Sequence, residues 1–265
     1  MAIATLDQYI AAANQRVSLM KTASRTAIAT IPFSVLDLAG NPGAGVLAGT
    51  STAAGVVPTG ATAGFPVLNA FGGGNTGYIG NITFGSTVAC RINLFDCLFK
   101  AGAYTFNANV TLAAQPSYSS RVLGGTDFSN TEIWIEAVTA FTGNQTITVT
   151  YTNQSGVAAK STGAIATGVA PTVGRMLRLP LAAGDTGVQK IESVVSSVST
   201  VGTFNVLVLR RLWSGRVKLV NDGDVHDFLK TGMPVIFDNS ALMVNVQPDS
   251  TATGIFDVVA EIING

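Results

Sequence analysis

Thr5-Leu-Asp-Gln8 opens a stretch in which Leu6, Tyr9, Ile10, Ala13, Val17 and Met20 recur at three- and four-residue spacings, the period of one helix face. Thr5 is placed to accept from the amide three residues on and Gln8 to reach back, a capping box. The pattern predicts an amphipathic helix ending near Lys21. From Ala27 to Leu38, the positions of Ile28, Ile31, Phe33, Val35 and Leu36 read as strand. Between Val88 and Lys100, Ile92, Phe95, Leu98 and Phe99, with Leu94 beside them, predict a short buried helix. Thr146-Ile-Thr-Val-Thr-Tyr-Thr152 alternates at period two, the mark of a half-buried strand, and Asn153-Gln-Ser-Gly156 supplies a hairpin turn. Two further strand pairs are expected. One joins Thr203 to Leu212 with Val217 to Val220 around Trp213-Ser-Gly-Arg216, and the other joins Leu242 to Val246 with Gly254 to Ile263.

Strands at such intervals predict a mainly β chain with minor α: an antiparallel β-sandwich or jelly-roll-like body. No repeat of fixed period is present. The less regular residues 1–100 are expected to hold the amino-terminal helix, an extended arm and the short helix, and residues 101–265 the β-rich body.

Charge sharpens the picture of the arm. Residues 38–90 contain no Asp, Glu, Lys, Arg or His, and the whole chain of 265 residues is only 11% charged, where about a quarter is usual. Disordered segments are polar and charged, whereas this interval carries Val56, Val57, Phe65, Val67, Phe71 and Tyr78. It is therefore expected to order by packing, and a surface so poor in charge expects a neighbour. With Leu6, Tyr9, Ile10 and Val17 of the predicted helix, these residues form the candidate interface.

Several classes of function are disfavoured. A membrane span needs about 20 consecutive apolar residues, and Asn41-Pro-Gly43, Thr50-Ser-Thr52, Pro58-Thr-Gly60 and Gly72-Gly-Gly74 interrupt the interval. The amino terminus lacks the basic start and apolar core of a secretory signal. Fifteen basic residues balance 15 acidic ones, with no run longer than Arg210-Arg211, so nothing offers the clustered cations that nucleic acid requires. Cys90 and Cys97, two turns apart if helical, would sit about 10 Å from each other, too far for a bridge. They read as free buried thiols.

Candidate chemistry is sparse. His226 is the one histidine, and no Gly-x-Ser-x-Gly elbow accompanies it. No catalytic role is expected. Asp222, Asp224, His226 and Asp227 could gather around a cation, but the ligand spacing and closing Glu of a calcium loop are missing, and a polar turn explains the cluster better. The glycines of Gly43-Ala-Gly45-Val-Leu-Ala-Gly49 and Phe71-Gly-Gly-Gly74 match no phosphate-binding loop and read as sites of close backbone approach. Asn81, Asn109, Asn144 and Asn153 fit a glycosylation pattern that carries no weight without an export signal. Trp134 and Trp213 lie in strand-like runs and read as core.

The opening Met1-Ala-Ile-Ala-Thr-Leu-Asp-Gln-Tyr-Ile10, the Gly/Ala/Thr-rich arm and the Val149-to-Gly156 hairpin resemble structural proteins of tailed bacteriophage heads, in particular capsid decoration or cement proteins and minor head proteins. The resemblance implies an antiparallel β body without a cofactor. It also implies many symmetric copies, a homo-oligomer with a trimer as one candidate, and the major capsid protein or other virion subunits as partner. The expected location is the virion, assembled in the host cytoplasm. A tail or adsorption component binding a host receptor or glycan is the alternative. A neutral surface suits such contacts, because it avoids the cost of burying charge.

Overall fold

The computed structural model describes residues 5–49, 52–72, 76–168, 172–198 and 201–265. Met1–Ala4 of the opening motif, Thr50, Ser51 and the glycines at 73 and 74 lie outside these residues. Among the described residues the chain forms two short helices, α1 (Leu6–Ala11) and α2 (Phe228–Thr231), and eighteen strands. The first eight strands are β1 (Ala13–Ser18), β2 (Met20–Lys21), β3 (Phe33–Ser34), β4 (Gly40–Asn41), β5 (Gly77–Ser86), β6 (Cys90–Thr105), β7 (Asn109–Thr111) and β8 (Thr131–Thr139). Then come β9 (Thr146–Asn153), β10 (Lys160–Ser161), β11 (Ile165–Ala166), β12 (Met176–Leu179) and β13 (Val188–Ser196). The last five are β14 (Thr203–Val217), β15 (Asp222–His226), β16 (Val235–Ile236), β17 (Leu242–Pro248) and β18 (Phe256–Asn264).

The strands pair antiparallel in three main sheets. The central sheet has the order β12-β8-β14-β6-β17-β3. A second runs β1-β18-β5-β15, with β16 also on β5, and a third runs β10-β9-β13-β7, with β11 on β9. Strands β6 and β14, 16 and 15 residues long, are long enough to serve two sandwiches. At one end Ile92, Leu94, Val244 and Val246 pack against Ile82, Phe84, Val258 and Ala260 of the second sheet. At the other end Phe99, Ala101, Ile135 and Val206 meet Val149, Tyr151 and Ile191 of the third. The two cores lie on the same face of the central sheet, because Leu94 in one core and Leu98 in the other are an even number of residues apart along β6.

Asp96 sits between these cores and is fully buried. Its carboxylate accepts from Arg121, from Arg210 at 3.2 Å, from Ser240 Oγ at 2.8 Å and from the Ala241 amide at 2.9 Å. A buried charge persists only with such a complement of donors. Arg121, itself 1% exposed, also donates to the carbonyls of Cys97 and Pro58.

Several elements depart from the sequence reading. The predicted helix ends at Ala11, not near Lys21, and β1 follows at once on β18. Burial of Val17, Leu19 and Lys21 alternates at period two, and pairing outweighed the helical spacing of Ala13, Val17 and Met20. The predicted buried helix at 88–100 is strand β6. A strand apolar on both faces gives the same unbroken hydrophobic run as a buried helix, and the ladder shifts register between Val208 and Leu209, which blurs the alternation. Residue 100 lies inside this strand. Trp213-Ser-Gly-Arg216 makes no turn, since β14 passes straight through it. Strands β17 and β18 form but belong to different sheets. The hairpin at Asn153 is present: β9 pairs with β10, and Asn153 Oδ1 accepts from the amides of Ser155 and Val157.

The charge-free interval lies against the chain's own body. Leu47 and Phe65 of the interval, with Leu36 just before it, cover Phe95, Cys97, Leu207, Leu209 and Met243 on the face of the central sheet opposite the two sandwich cores. Outside β5 this interval has little ladder of its own, so its buried carbonyls need donors from elsewhere. Lys21 Nζ reaches the carbonyls of Leu38 and Pro42 at 3.1 and 2.9 Å, and Lys100 Nζ that of Val46 at 2.9 Å. Asn205 donates to Leu47 O, Tyr104 to Thr52 O, Arg121 to Pro58 O and Asn264 to Phe71 O. The segment lacks charge because its neighbours supply it. Its glycines allow the approach: a Cβ on Gly49 would lie 2.6 Å from the Gly102 backbone, and one on Gly55, at φ +70°, would lie 2.2 Å from the Phe99 ring.

Candidate functional site

The acidic cluster near the single histidine is not assembled as a metal centre. Strand β15 is a solvent-facing edge paired with β5. Asp222 accepts from the Gly223 amide, Asp224 from the Val225 amide, and Asp227 caps α2 by accepting from the Lys230 amide. His226 accepts through Nδ1 from Trp213 Nε1 at 3.0 Å and stacks edge-on to Phe84. The Val225 amide, with Lys230 and His226, holds the Asp224 carboxyl below its ordinary pKa. Among the described residues no three His, Cys, Asp or Glu side chains are grouped to hold an ion. These contacts are those of a polar turn and a helix cap.

The interface candidates divide into three groups. Val17, Phe65 and Phe71 are buried in the chain's own cores, so they are corrected from interface to core. Tyr9, Val56, Val57 and Tyr78 are half-buried; Val56 exchanges backbone hydrogen bonds with Lys100. Leu6, Ile10 and Val67 are exposed. Helix α1 is seated by Tyr9, whose ring lies 5.0 Å from that of Phe228 and against Gly80. Burial first, then Glu261 and Asp227, raises the Tyr9 pKa. Leu6 and Ile10, four residues apart on one helix face, point away from this contact, Ile10 with 72% of its surface open. Beyond Phe228, Leu229 is 77% exposed, and Leu219, Val220 and Val225 are exposed nearby in sequence.

The central sheet carries a second feature that composition did not reveal. The charge-free segment covers part of its outer face, and the remainder forms a groove of about 330 Å³ lined by Arg91, Asn93, Trp134, Arg178, Arg211 and Asn245, among others. Strand alternation puts these residues on one face, since Asn93 opposes both Asn245 and Ser214, and Arg178 opposes Trp134. Arg178 and Arg211 share one carboxylate, Glu132, at 3.3 and 3.4 Å, and Trp134 Nε1 donates to that carboxylate at 2.8 Å. Arg211 also lies over the Phe95 ring. Arg91 reaches only the Ser214 hydroxyl, at 3.5 Å, and forms no ion pair among the described residues. Three guanidiniums thus face one carboxylate. Asn93, 5% exposed, leaves its Oδ1 without a partner, and Asn245 Nδ2 spends a donor on the Met176 thioether. The arginines lie far apart in sequence, and only the period-two parity of three strands brings them together.

No family model and no curated protein matches the chain. Among solved structures it is similar to the VP2 subviral particle of infectious bursal disease virus, at 8% identity and a TM-score of 0.19 over 96% of this chain and 80% of that one. The T=1 particles derived from that virus give 8% identity and a TM-score of 0.18 over 95% and 77%. Its Gt strain gives 9% and 0.18 over 96% and 81%. Scores this low carry no argument, and the functional reading rests on the geometry above.

Proposed function

We propose that the chain is a non-enzymatic structural subunit of a virion, a head protein of the decoration or cement kind that binds the major capsid protein and further shell subunits. The observation that carries this reading is the set of exposed apolar side chains Leu6, Ile10 and Leu229 on the two short helices joined by the Tyr9–Phe228 contact, on a chain with few charges. Soluble monomers seldom display large contiguous apolar patches, and where they occur they mark contacts. The rigid double sandwich supplies a scaffold whose free surface needs little reordering on association, which lowers its cost. Resemblance of the amino-terminal motif and the β hairpin to phage head proteins supports the same partner.

The experiment is co-sedimentation of the purified chain with purified phage head shells, followed by electron microscopy. The expected result is saturable binding at symmetry-related positions. Free chain at every ratio, with no self-assembly, would overturn the reading.

A further inference from the structure

We infer that the arginine-lined groove on the outer face of the central sheet receives the acidic tip at residues 218–225 of a second copy of this chain. The inference rests on the assembly reading above and specifies one of its contacts.

Two halves of this contact are present on one molecule. The tip, Lys-Leu-Val-Asn-Asp-Gly-Asp-Val, follows β14 and includes the first four residues of the edge strand β15, and it is exposed at every residue. It presents Asp222 and Asp224 beside Leu219 and Val220, each of the two apolar side chains about two-thirds open to solvent. His226 Nε2 and Lys230 Nζ lie 3.5 and 4.0 Å from Asp224, and the hydrogen bond from the Gly223 amide leaves the second oxygen of Asp222 available. The groove offers the complement: Arg91 without an ion pair, and Arg178 and Arg211 sharing Glu132. Carboxylates against guanidiniums form paired, directional hydrogen bonds. Asn93 gives an independent indication of an occupant. Its side chain is nineteen-twentieths buried, yet its Oδ1 lacks a donor, and a buried acceptor in that state calls for one from outside. The exposed side-chain amide of Asn221 supplies such a donor. The groove, about 330 Å³, is at the small end of ligand clefts, so it suits a few side chains of a loop better than a folded domain. The chain's net charge of zero also fits opposite patches that meet between copies.

The test is light scattering and sedimentation of the full chain across concentration and salt. The wild type is expected to self-associate, less so as salt rises. Arg91→Glu with Arg178→Glu should give monomers, as should Asp222→Lys with Asp224→Lys. An equimolar mixture of the two reversed proteins should associate again. All four positions are at the surface, so unchanged melting curves will show that the fold is intact. If the wild type assembles or binds head shells while both reversed proteins do so equally well, this contact is wrong and the assembly reading stands. A wild type that neither self-associates nor binds shells overturns both.

Discussion

Lys100 Nζ donates to the Val46 carbonyl at 2.9 Å across 54 residues of sequence, and the same ammonium lies 3.7 Å from Glu136. Both ionised side chains are buried on the outer face of the central sheet. One lysine therefore both fastens the charge-free segment and neutralises the carboxylate beneath it.

Replacing this lysine separates the two roles. Lys100→Met should cost about 3–5 kcal/mol, because Glu136 would keep only the Asn205 amide and remain a buried charge without a counter-ion. Lys100→Met combined with Glu136→Gln should recover most of that loss, yet leave the Val46 carbonyl without its donor. Urea unfolding measures the first effect. Limited proteolysis at residues 40–60, faster in both variants than in the wild type, measures the second. Equal stability of Lys100→Met and wild type would show that the pair contributes nothing.

A second prediction concerns the seam between the sandwiches. Asp96→Asn removes the charge that holds Arg121 and Arg210 and that accepts from Ser240 and the Ala241 amide. Arg121 would stay buried and uncompensated, at a cost of about 3–5 kcal/mol. Because both cores meet there, unfolding should remain a single transition in the wild type and broaden or split in Asp96→Asn. Calorimetry would reveal it, and an unchanged sharp transition would refute the seam's role.

The β class, the sandwich and the Asn153 hairpin were legible in the sequence, because each rests on period-two alternation or on turn chemistry within a few residues. The capping box at Thr5 was legible for the same reason, and both of its hydrogen bonds are present. What escaped was non-local. The segment at 88–100 has Leu94 and Phe95 on opposite faces of one strand, both buried, and no periodicity survives that. The missing charge of residues 38–90 was read as a surface awaiting a neighbour. The neighbour for much of it is the body itself, through Lys21, Lys100 and Arg121, which sequence could not pair with carbonyls tens of residues away. The groove arginines Arg91, Arg178 and Arg211 carried no local signal at all, and helix spacing put Leu6 and Ile10 on one stripe with Tyr9 without showing that they face solvent while Tyr9 packs.

Alkaline sensitivity follows from the two thiols. Burial, the largest cause for both, pushes Cys97 up to about 12 and Cys90 up to about 11 from an ordinary 9.0. The folded chain therefore keeps protons that the unfolded chain loses above about pH 9. The stability tied to those protons is complete below that point and falls as pH rises toward the folded values, by up to about 1.4 kcal/mol per pH unit for each thiol. Tyr104 and Tyr151, also pushed up to about 12, add to the loss only above their own ordinary value of 10.0. Urea midpoints measured from about pH 8 to 10 should decline, and Cys97→Ala should flatten the decline. A midpoint independent of pH across that window would show that the thiols are not shielded as described.

The exposed face of α1 gives the sharpest separation of folding from association. Leu6 and Ile10 are solvent-facing while Tyr9 anchors the helix on Phe228 and Gly80. Leu6→Glu with Ile10→Glu should therefore change stability by no more than about 0.5 kcal/mol, the usual range for surface positions. The Thr5–Gln8 capping box is untouched by the change, so the helix should persist. Binding to head shells should fall by at least tenfold, since two charges would have to be desolvated at the contact. Tyr9→Ala is the counterpart: it should loosen α1 and weaken binding together, visible as faster amide exchange over residues 6–11. If the double glutamate variant binds shells as tightly as the wild type, α1 plays no part in the contact.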